Sequence, residues 1–417
     1  MNYPWLPLNI NNKMYDSINK KIDDIGNAMI RHNKIIKETD NIGLLGGNMG
    51  LVIFLYSYSN FIKCQKFYDF GSSIVLSALE KLHKSINCNY YFDISYSNGI
   101  PGILWTLKYL KTQEFLDINE EEMLLPFSNI LKKEMIKQIK LGNLDYFHGS
   151  LGIAKYLLSE RDYNDQWIWE EFFDYLLKFA IDGKNDEIRW FRYDLFTNRI
   201  IKNEYDLGIP HGITGIIGVL LDFYESDIKQ GFIKNLITRS ITFLLNNKMN
   251  KKNRISFFPP KILTNSIGRE SRLGWCYGDL GIGLILLRTS LIFNDENLYD
   301  QAVYILKVTV KRTNLYTNGV RDACLCHGSA GIAHLFHRIY SYTNINEFNT
   351  ASLYWYNKTL ELAIQNGPAS YKVWYGGNGS EWQDNYSFIQ GIAGIGLSLL
   401  AAISDIEPKW DQSLLIS

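Results

Sequence analysis

The segment GSAGIAHLF, residues 328–336, places two glycines three positions apart at the start of an apolar run. One such Gly-x-x-Gly step carries little information, because a chain with 32 glycines contains some by chance. This step occurs seven times in the chain, however, and each copy begins an apolar run. Its first glycine lies at Gly47, Gly99, Gly149, Gly212, Gly278, Gly328 and Gly391. The intervals between these positions are 52, 50, 63, 66, 50 and 63 residues, which is the length of a repeated helix pair.

The segments between the copies have apolar residues at helical spacing, for example in 16–37, 299–313 and 349–365. Each repeat therefore predicts an outer amphipathic helix followed by an inner helix that is apolar nearly all round. A helix that is apolar on every side is buried. Seven inner helices ringed by seven outer ones predict an all-α fold, an α/α toroid or double α-barrel, that fills residues 1–417 as a single domain.

The three longer intervals predict inserts between the repeat helices, at 182–208, 247–270 and 366–388. The first two contain strand-like pieces, IRWFRYDLF at 188–196 and RISFFPP at 254–260, and the third is rich in glycine and aromatic residues. We expect these small, partly β inserts to lie at one rim of the toroid and to form a peptide-binding extension. Surface decoration is the alternative for any one of them.

Composition excludes several classes of protein. The formal net charge of the 417 residues is zero and no basic stripe is visible, which argues against a nucleic-acid partner. Five cysteines without framework spacing indicate a reducing compartment. The N-terminus lacks a signal-peptide pattern, and apolar runs such as 391–403 are shorter than the ~20 residues of a spanning helix. We therefore expect a cytoplasmic protein that is not transmembrane.

The repeat register brings reactive side chains together. Six of them stand within four positions before the first glycine of their own repeats: Asp145, His148, His211, Cys276, Cys326 and His327. They belong to the third to sixth repeats, which are neighbours in the ring. We therefore expect the toroid to gather them on a single rim, in the loops that precede the inner helices.

Two thiols and an imidazole, from Cys276, Cys326 and His327, predict a metal site on that rim. Three protein ligands with an open fourth position are typical of catalytic zinc, whereas structural zinc usually has four. If the cysteines were only small buried side chains, their register shared with a histidine would have no explanation. Cys324 is a weaker competing ligand. Two thiolates and an imidazole suit Zn²⁺ that holds a substrate thiol as thiolate.

At these residues the sequence resembles the lanthionine synthetase C-like family, the cyclases of lanthipeptide biosynthesis. The resemblance rests on WCYG at 275–278, CHG at 326–328, PHGITG at 210–215 and the Gly-x-x-Gly series, and it spans nearly the whole chain. It implies that Zn²⁺ is bound by the cysteines of the first two motifs and the histidine of the second.

The resemblance also implies the remaining roles. His211 would be the acid–base group, Asp145 would orient it, Arg272 would offset enolate charge, and Tyr277 would lie in the same pocket. A cysteine of a dehydrated precursor peptide would add to dehydroalanine or dehydrobutyrine and close a lanthionine or methyllanthionine ring. A chain of this length is similar to the stand-alone cyclases, which implies a separate dehydratase and an exporter complex, with a peripheral membrane location through that complex.

Three other functions remain open at this point. A non-catalytic, zinc-containing scaffold that binds the peptide would not need His211 and Asp145, yet both are present. A glycoside-processing toroid would need a pair of rim carboxylates, and the shared register holds only Asp145. An enzyme that adds a small thiol such as glutathione to dehydrated residues would use the same zinc site.

Overall fold

In the computed structural model, each Gly-x-x-Gly step begins an inner helix. The structure describes residues 3–87, 93–160, 166–249, 254–263, 268–376 and 381–417. The insert segments 250–253, 264–267 and 377–380 lie outside the described residues. The seven inner helices of the described chain are α3 (Asn48–Ile62), α5 (Ile100–Thr112), α8 (Ser150–Leu158), α10 (Ile213–Glu225), α12 (Asp279–Phe293), α14 (Ser329–Thr343) and α16 (Ile392–Ile403). Each packs against the next, and α16 returns to α3, so the ring is closed.

Seven amphipathic helices surround this ring in the described parts of the chain. They are α1 (Asn12–Arg31), α4 (Gln65–Asn87), α7 (Leu125–Lys140), α9 (Gln166–Lys178), α11 (Gln230–Asn246), α13 (Glu296–Val310) and α15 (Asn346–Glu361). Two short helices, α2 (Asn33–Glu38) and α6 (Glu120–Met123), lie in connections. The predicted α/α toroid is thereby confirmed. None of the helices in the described ranges has the length and apolar character needed to cross a bilayer.

The β structure within the described residues consists of four antiparallel pairs, all in the inserts or at their edges. The strands are β1 (Ile181–Asp182), β2 (Ile188–Arg189), β3 (Arg192–Asp194), β4 (Arg199–Ile201), β5 (Glu204–Asp206), β6 (Lys261–Leu263), β7 (Val373–Tyr375) and β8 (Glu381–Gln383). The pairs are β1–β2, β3–β4, β5–β6 and β7–β8. Because Tyr205 pairs with Ile262, the third of these joins the first insert to the second.

The prediction of a strand at 254–260 is wrong, since the strand of this insert is β6. The backbone N–H groups of Phe257 and Phe258 donate instead to the carboxylate of Asp279, at 2.9–3.0 Å. Pro259 and Pro260, which follow, have no N–H to donate. The N–H groups of Ile255 and Ser256 donate to the carboxylate of Glu270, at 3.2 and 2.9 Å. The segment therefore donates to carboxylate side chains, and no ladder forms there.

The second glycine of each step is required by a close contact within its own repeat. A Cβ atom at this position would overlap the backbone carbonyl oxygen of the residue six positions earlier. This holds for Gly50, Gly102, Gly152, Gly215, Gly281, Gly331 and Gly394. The loop before each inner helix thus folds back across the first turn of that helix, where only glycine leaves enough room.

The seven loops are hydrogen-bonded to one another around the whole ring, and we call this set of bonds the loop belt. A backbone N–H of each loop donates to a backbone carbonyl of the next loop. The bonds are Leu45 to Ser97 (2.7 Å), Ser97 to Phe147 (3.1 Å), Phe147 to Pro210 (3.3 Å), Ile209 to Cys276 (3.1 Å), Trp275 to Cys326 (3.0 Å), Cys326 to Ile389 (3.1 Å) and Ile389 to Leu45 (2.9 Å). The belt fixes the position of each loop relative to its two neighbours.

Six of the loops begin with the same kind of turn. An Asn or Asp six positions before the first glycine accepts, through its side chain, the N–H of the residue two positions later. These residues are Asn41, Asp93, Asn143, Asp206, Asp322 and Asn385. The fifth loop has Arg272 at this position, so it alone places a cation where the others place a turn-forming side chain.

The C-terminal segment reaches into the toroid from the end opposite the loop belt. The indole N–H of Trp275 donates to the Leu414 carbonyl at 2.7 Å, directly beside Cys276. The carboxylate of Asp411 accepts hydrogen bonds from His334 and Arg338, each at 2.9 Å. His334 therefore has a structural, hydrogen-bonded role in the interior.

We expect Gly102→Ala to lower the free energy of unfolding by about 1–3 kcal/mol, because the added methyl forces the Tyr96 carbonyl away from α5. Gly231→Ala is the matched control, since a Cβ at Gly231 on α11 meets nothing within 4 Å. Denaturant midpoints followed by circular dichroism measure the difference. Equal midpoints for the two variants would contradict the close-contact explanation.

Candidate active site

The loop belt surrounds a cavity of about 390 Å³ at the N-terminal ends of the inner helices. Its wall is built from the two residues that precede the first glycine in all seven repeats, such as Cys276 with Tyr277 and Cys326 with His327. Arg272 is the one further contributor among the described residues. The structure thus brings together on one rim the residues that share the register. The positive ends of the helix dipoles converge on the same rim, which favours negative charge in the cavity.

Cys276, Cys326 and His327 form one cluster in this cavity, and their ligand atoms lie within 4.8 Å of one another. The adjacency follows from the belt, because the N–H groups of Trp275 and Cys276 both donate to the Cys326 carbonyl, at 3.0 and 3.4 Å. A hydrogen bond from the thiol of Cys326 lowers the pKa of Cys276 well below its usual range, and His327 and the Arg272 charge act in the same direction. Cys276 is therefore the more acidic thiol of the pair.

The residues of this cluster fit a metal ion. The Nδ1 atom of His327 is buried and has no hydrogen-bond partner among the described residues, which is unusual for a polar atom unless it binds something else. Gly274 lies against the backbone of His327, where a side chain would crowd it. Two sulfurs and one imidazole nitrogen are ligands that zinc prefers.

Cys324 is a competing ligand, because its sulfur lies within 4.8 Å of ligand atoms of Asp322 and His327. Both carboxylate oxygens of Asp322 are occupied, however, by the N–H groups of Cys324 and Trp374, each at 3.0 Å. Burial raises the pKa of Cys324 well above its usual range, so its thiol stays protonated. The geometry and the charge therefore favour the cluster with Cys326.

Asp145, His211 and His148 form a second cluster on the same wall. The Nδ1 atom of His211 lies 2.6 Å from Oδ2 of Asp145, and the backbone N–H of His148 donates to Oδ1 at 2.8 Å. Burial works to raise the pKa of Asp145, but its contacts with His148 and His211 outweigh burial and hold it at about 2. Burial works to lower the pKa of His211, and the ionised Asp145 outweighs that effect, so the net shift is upward.

The two other predicted residues lie beside these clusters. Arg272 is exposed at the edge of the cavity. The hydroxyl of Tyr277 donates to Oδ2 of Asp206 at 3.1 Å, and Gly208 leaves room for the Tyr277 ring. Burial raises the pKa of Asp206 to about 6. Sequence reasoning missed Asp206, although the recurrence of Asn or Asp six positions before the first glycine was a visible signal.

Fold and site together define a class. The protein is a closed seven-fold α/α toroid whose helix N-termini converge on one rim, which carries a Cys₂His cluster beside a buried Asp–His pair. The sequence model of the lanthionine synthetase C-like protein family matches residues 10–415, and the chain belongs to this family.

The chain is also similar to two known proteins. It is 23% identical over 265 residues to the nisin biosynthesis protein NisC of Lactococcus lactis subsp. lactis. That alignment covers 58% of this chain and 62% of the relative, so the chain spans less than two thirds of the relative's length there. A solved structure of nisin cyclase has the same fold, with a TM-score of 0.73 at 18% identity, covering 96% of this chain and 97% of that one.

We expect Asp145→Asn to lower the pKa of His211. In the wild type, the Asp145 carboxylate raises the pKa of His211 above the ordinary imidazole value of about 6.5, so the ring stays protonated to a higher pH. Without that charge, burial remains and disfavours the imidazolium, so His211 loses its proton at lower pH than in the wild type. NMR titration of the imidazole signals measures the shift, with exposed His83 on α4 as the internal reference. A His211 titration that is the same in both proteins would contradict this coupling.

Proposed function

We propose that this protein is a zinc-dependent lanthipeptide cyclase, which adds cysteine thiolates of a dehydrated precursor peptide to dehydroalanine or dehydrobutyrine. The observation that carries the proposal is the placement of the Cys276–Cys326–His327 cluster and the Asp145–His211 pair in one cavity. Membership of the lanthionine synthetase C-like family supports it. Cys276, Cys326 and His327 would hold the Zn²⁺, which when bound supplies a Lewis acid that lowers the pKa of a substrate thiol.

The acid–base pair accounts for the proton balance of the reaction. When the sulfur bonds to the β-carbon, the electron pair of the double bond moves toward the carbonyl and an enolate forms. The α-carbon then takes a proton, and the thiol has given one up, so the net proton count is unchanged. His211 is the donor: Asp145 holds its Nδ1 atom at 2.6 Å, which leaves Nε2 to deliver the proton.

Arg272 and Tyr277 complete the chemistry. The Arg272 guanidinium, exposed at the cavity edge, offsets the negative charge of the enolate, and the helix dipoles of the rim add to this effect. Asp206 holds the Tyr277 hydroxyl in place at 3.1 Å, so the ring forms a fixed wall beside the reacting groups.

The inserts at 182–208, 247–270 and 366–388 would hold the peptide. The first insert lies against the acid–base pair, since Trp190, Phe191 and Arg192 line a recess together with Asp145 and His211. The third reaches the same cavity, because the Tyr375 hydroxyl donates to the Gln390 side chain at 3.0 Å. The precursor would arrive from a separate dehydratase and leave for an exporter, and the protein would act in the cytoplasm or at the membrane periphery.

The zinc site is tested by metal analysis. We expect the wild-type protein, purified without added zinc, to contain about one equivalent of zinc and Cys326→Ala to lose it, because removal of a direct ligand weakens binding by at least about tenfold. Cys324→Ala is the matched control and should keep the metal, since its thiol lies two residues away and is protonated. Zinc retained in Cys326→Ala but lost in Cys324→Ala would assign the metal to the competing cluster.

The acid–base role is tested by cyclisation of a dehydrated peptide that carries one cysteine. We expect His211→Asn to keep its zinc but to close the ring at least about 100-fold more slowly, which is the usual contribution of a general acid. Counting free thiols by alkylation and mass spectrometry follows the reaction, and His83→Asn, at an exposed position of α4, is the control. Full activity of His211→Asn would remove this residue from the mechanism.

Transfer of glutathione without ring closure by the wild type would favour the small-thiol alternative.

A further inference from the structure

His148 is a rim histidine that the cyclisation mechanism does not use. Ligand atoms of His148, Asp145 and His211 lie within 4.8 Å of one another, so these three residues form a group of metal-ligand type that is separate from the Cys₂His cluster. Both groups face the same cavity, through His148 and His211 on one side and the two cysteines on the other.

The carboxylate of Asp145 has an imidazole on each of its oxygens. Oδ2 lies 2.6 Å from Nδ1 of His211, and Oδ1 lies 3.4 Å from Nδ1 of His148. The second contact is poorly aligned, and the buried Nδ1 atom of His148 has no hydrogen-bond partner among the described residues. The two rings are nearly parallel, with an interplanar angle of 14° and centroids 5.8 Å apart. One nitrogen of each ring therefore faces the same carboxylate.

The backbone holds these three residues close together before any ligand arrives. Asp145 and His148 belong to one loop, three positions apart, and the His148 N–H is bonded to the Asp145 carboxylate. His211 belongs to the next loop of the belt, where the carbonyl of the preceding Pro210 accepts the N–H groups of Tyr146 and Phe147. Small side-chain rotations are enough to bring the three ligand atoms around one ion.

The chemistry of the set suits a divalent transition-metal cation. Two imidazoles and one carboxylate are a common ligand set for zinc. Asp145, with its pKa of about 2, is ionised at neutral pH, so a cation would displace no proton from it. Coordination by His211 would release the proton from the nitrogen that binds the cation. The set has no thiolate, and zinc is therefore expected to fill the Cys₂His cluster first and this group second.

We propose that Asp145, His148 and His211 form a second divalent-cation site, and that a cation bound there stops cyclisation by occupying His211. Only the inhibitory part rests on the proposed function; binding of the cation does not. Free zinc in excess of the first equivalent thus acts on the enzyme as an inhibitor.

Metal counting tests the site directly. Full-length protein is equilibrated in zinc buffers and its bound Zn²⁺ is measured. We expect two equivalents in the wild type, one in Cys326→Ala and one in His148→Ala, with His83→Ala as the control that keeps both. With Co²⁺ as the probe, Cys326→Ala should show a ligand-field spectrum without thiolate charge transfer, whereas His148→Ala should retain the charge-transfer band.

Activity measurements test the consequence. We expect excess Zn²⁺ to slow cyclisation by the wild type. The rate of each protein is expressed relative to its own rate without added zinc. On this scale His148→Ala should need at least about tenfold more free zinc for the same fractional loss of activity. A wild type that binds one equivalent only, or a second equivalent that survives in His148→Ala, would overturn the second site. Two equivalents with unimpaired cyclisation would overturn the inhibition. A protein that binds both ions and closes no ring would instead refute the proposed function.

Discussion

The closed loop belt is the constraint on which the rest of the structure depends. A backbone hydrogen bond leaves each of the seven loops for the next, from Leu45 around to Ile389 and back to Leu45. Such a belt closes only if all seven loops lie at the same level along the axis of the toroid. The second glycine of each step allows that position, because it lets the loop fold back against the first turn of its own helix. The repeated glycines in the sequence are therefore needed for the same reason that the ring can close: each loop must lie against its own helix.

The belt also explains why the chemistry lies at this rim. Residues two or three positions before the first glycine supply the belt bonds through their backbone, and the side chains of the two residues directly before that glycine line the cavity. The belt uses only backbone N–H and carbonyl groups of the loops, so it does not depend on the chemistry of these side chains. The residue types next to the first glycine can therefore differ between repeats while the ring stays closed. Cys276, Cys326, His327 and His211 are four examples.

Two buried carboxylates at the rim behave differently although they lie close to the same histidine. Asp145 is flanked by two imidazoles, and its pKa is held at about 2. Burial raises the pKa of Asp206 to about 6, because its hydrogen-bond donors in the described parts of the chain, the Gly208 N–H and the Tyr277 hydroxyl, are both neutral. The distinction follows from the charge of the partners, because an ionic contact offsets desolvation more effectively than a neutral hydrogen bond.

By itself the sequence determined the seven-fold toroid and the register of Cys276 and His211 relative to the glycines, because glycine spacing and apolar periodicity are local properties of the chain. It did not reveal that 254–260 gives its N–H groups to Asp279, or that Asp206 holds Tyr277. It also left the role of His148 open. Those features depend on residues that are separated along the chain and meet only in the folded toroid, and on burial, which contributes to their pKa values. Tertiary structure alone decides such contacts, since no periodicity encodes them.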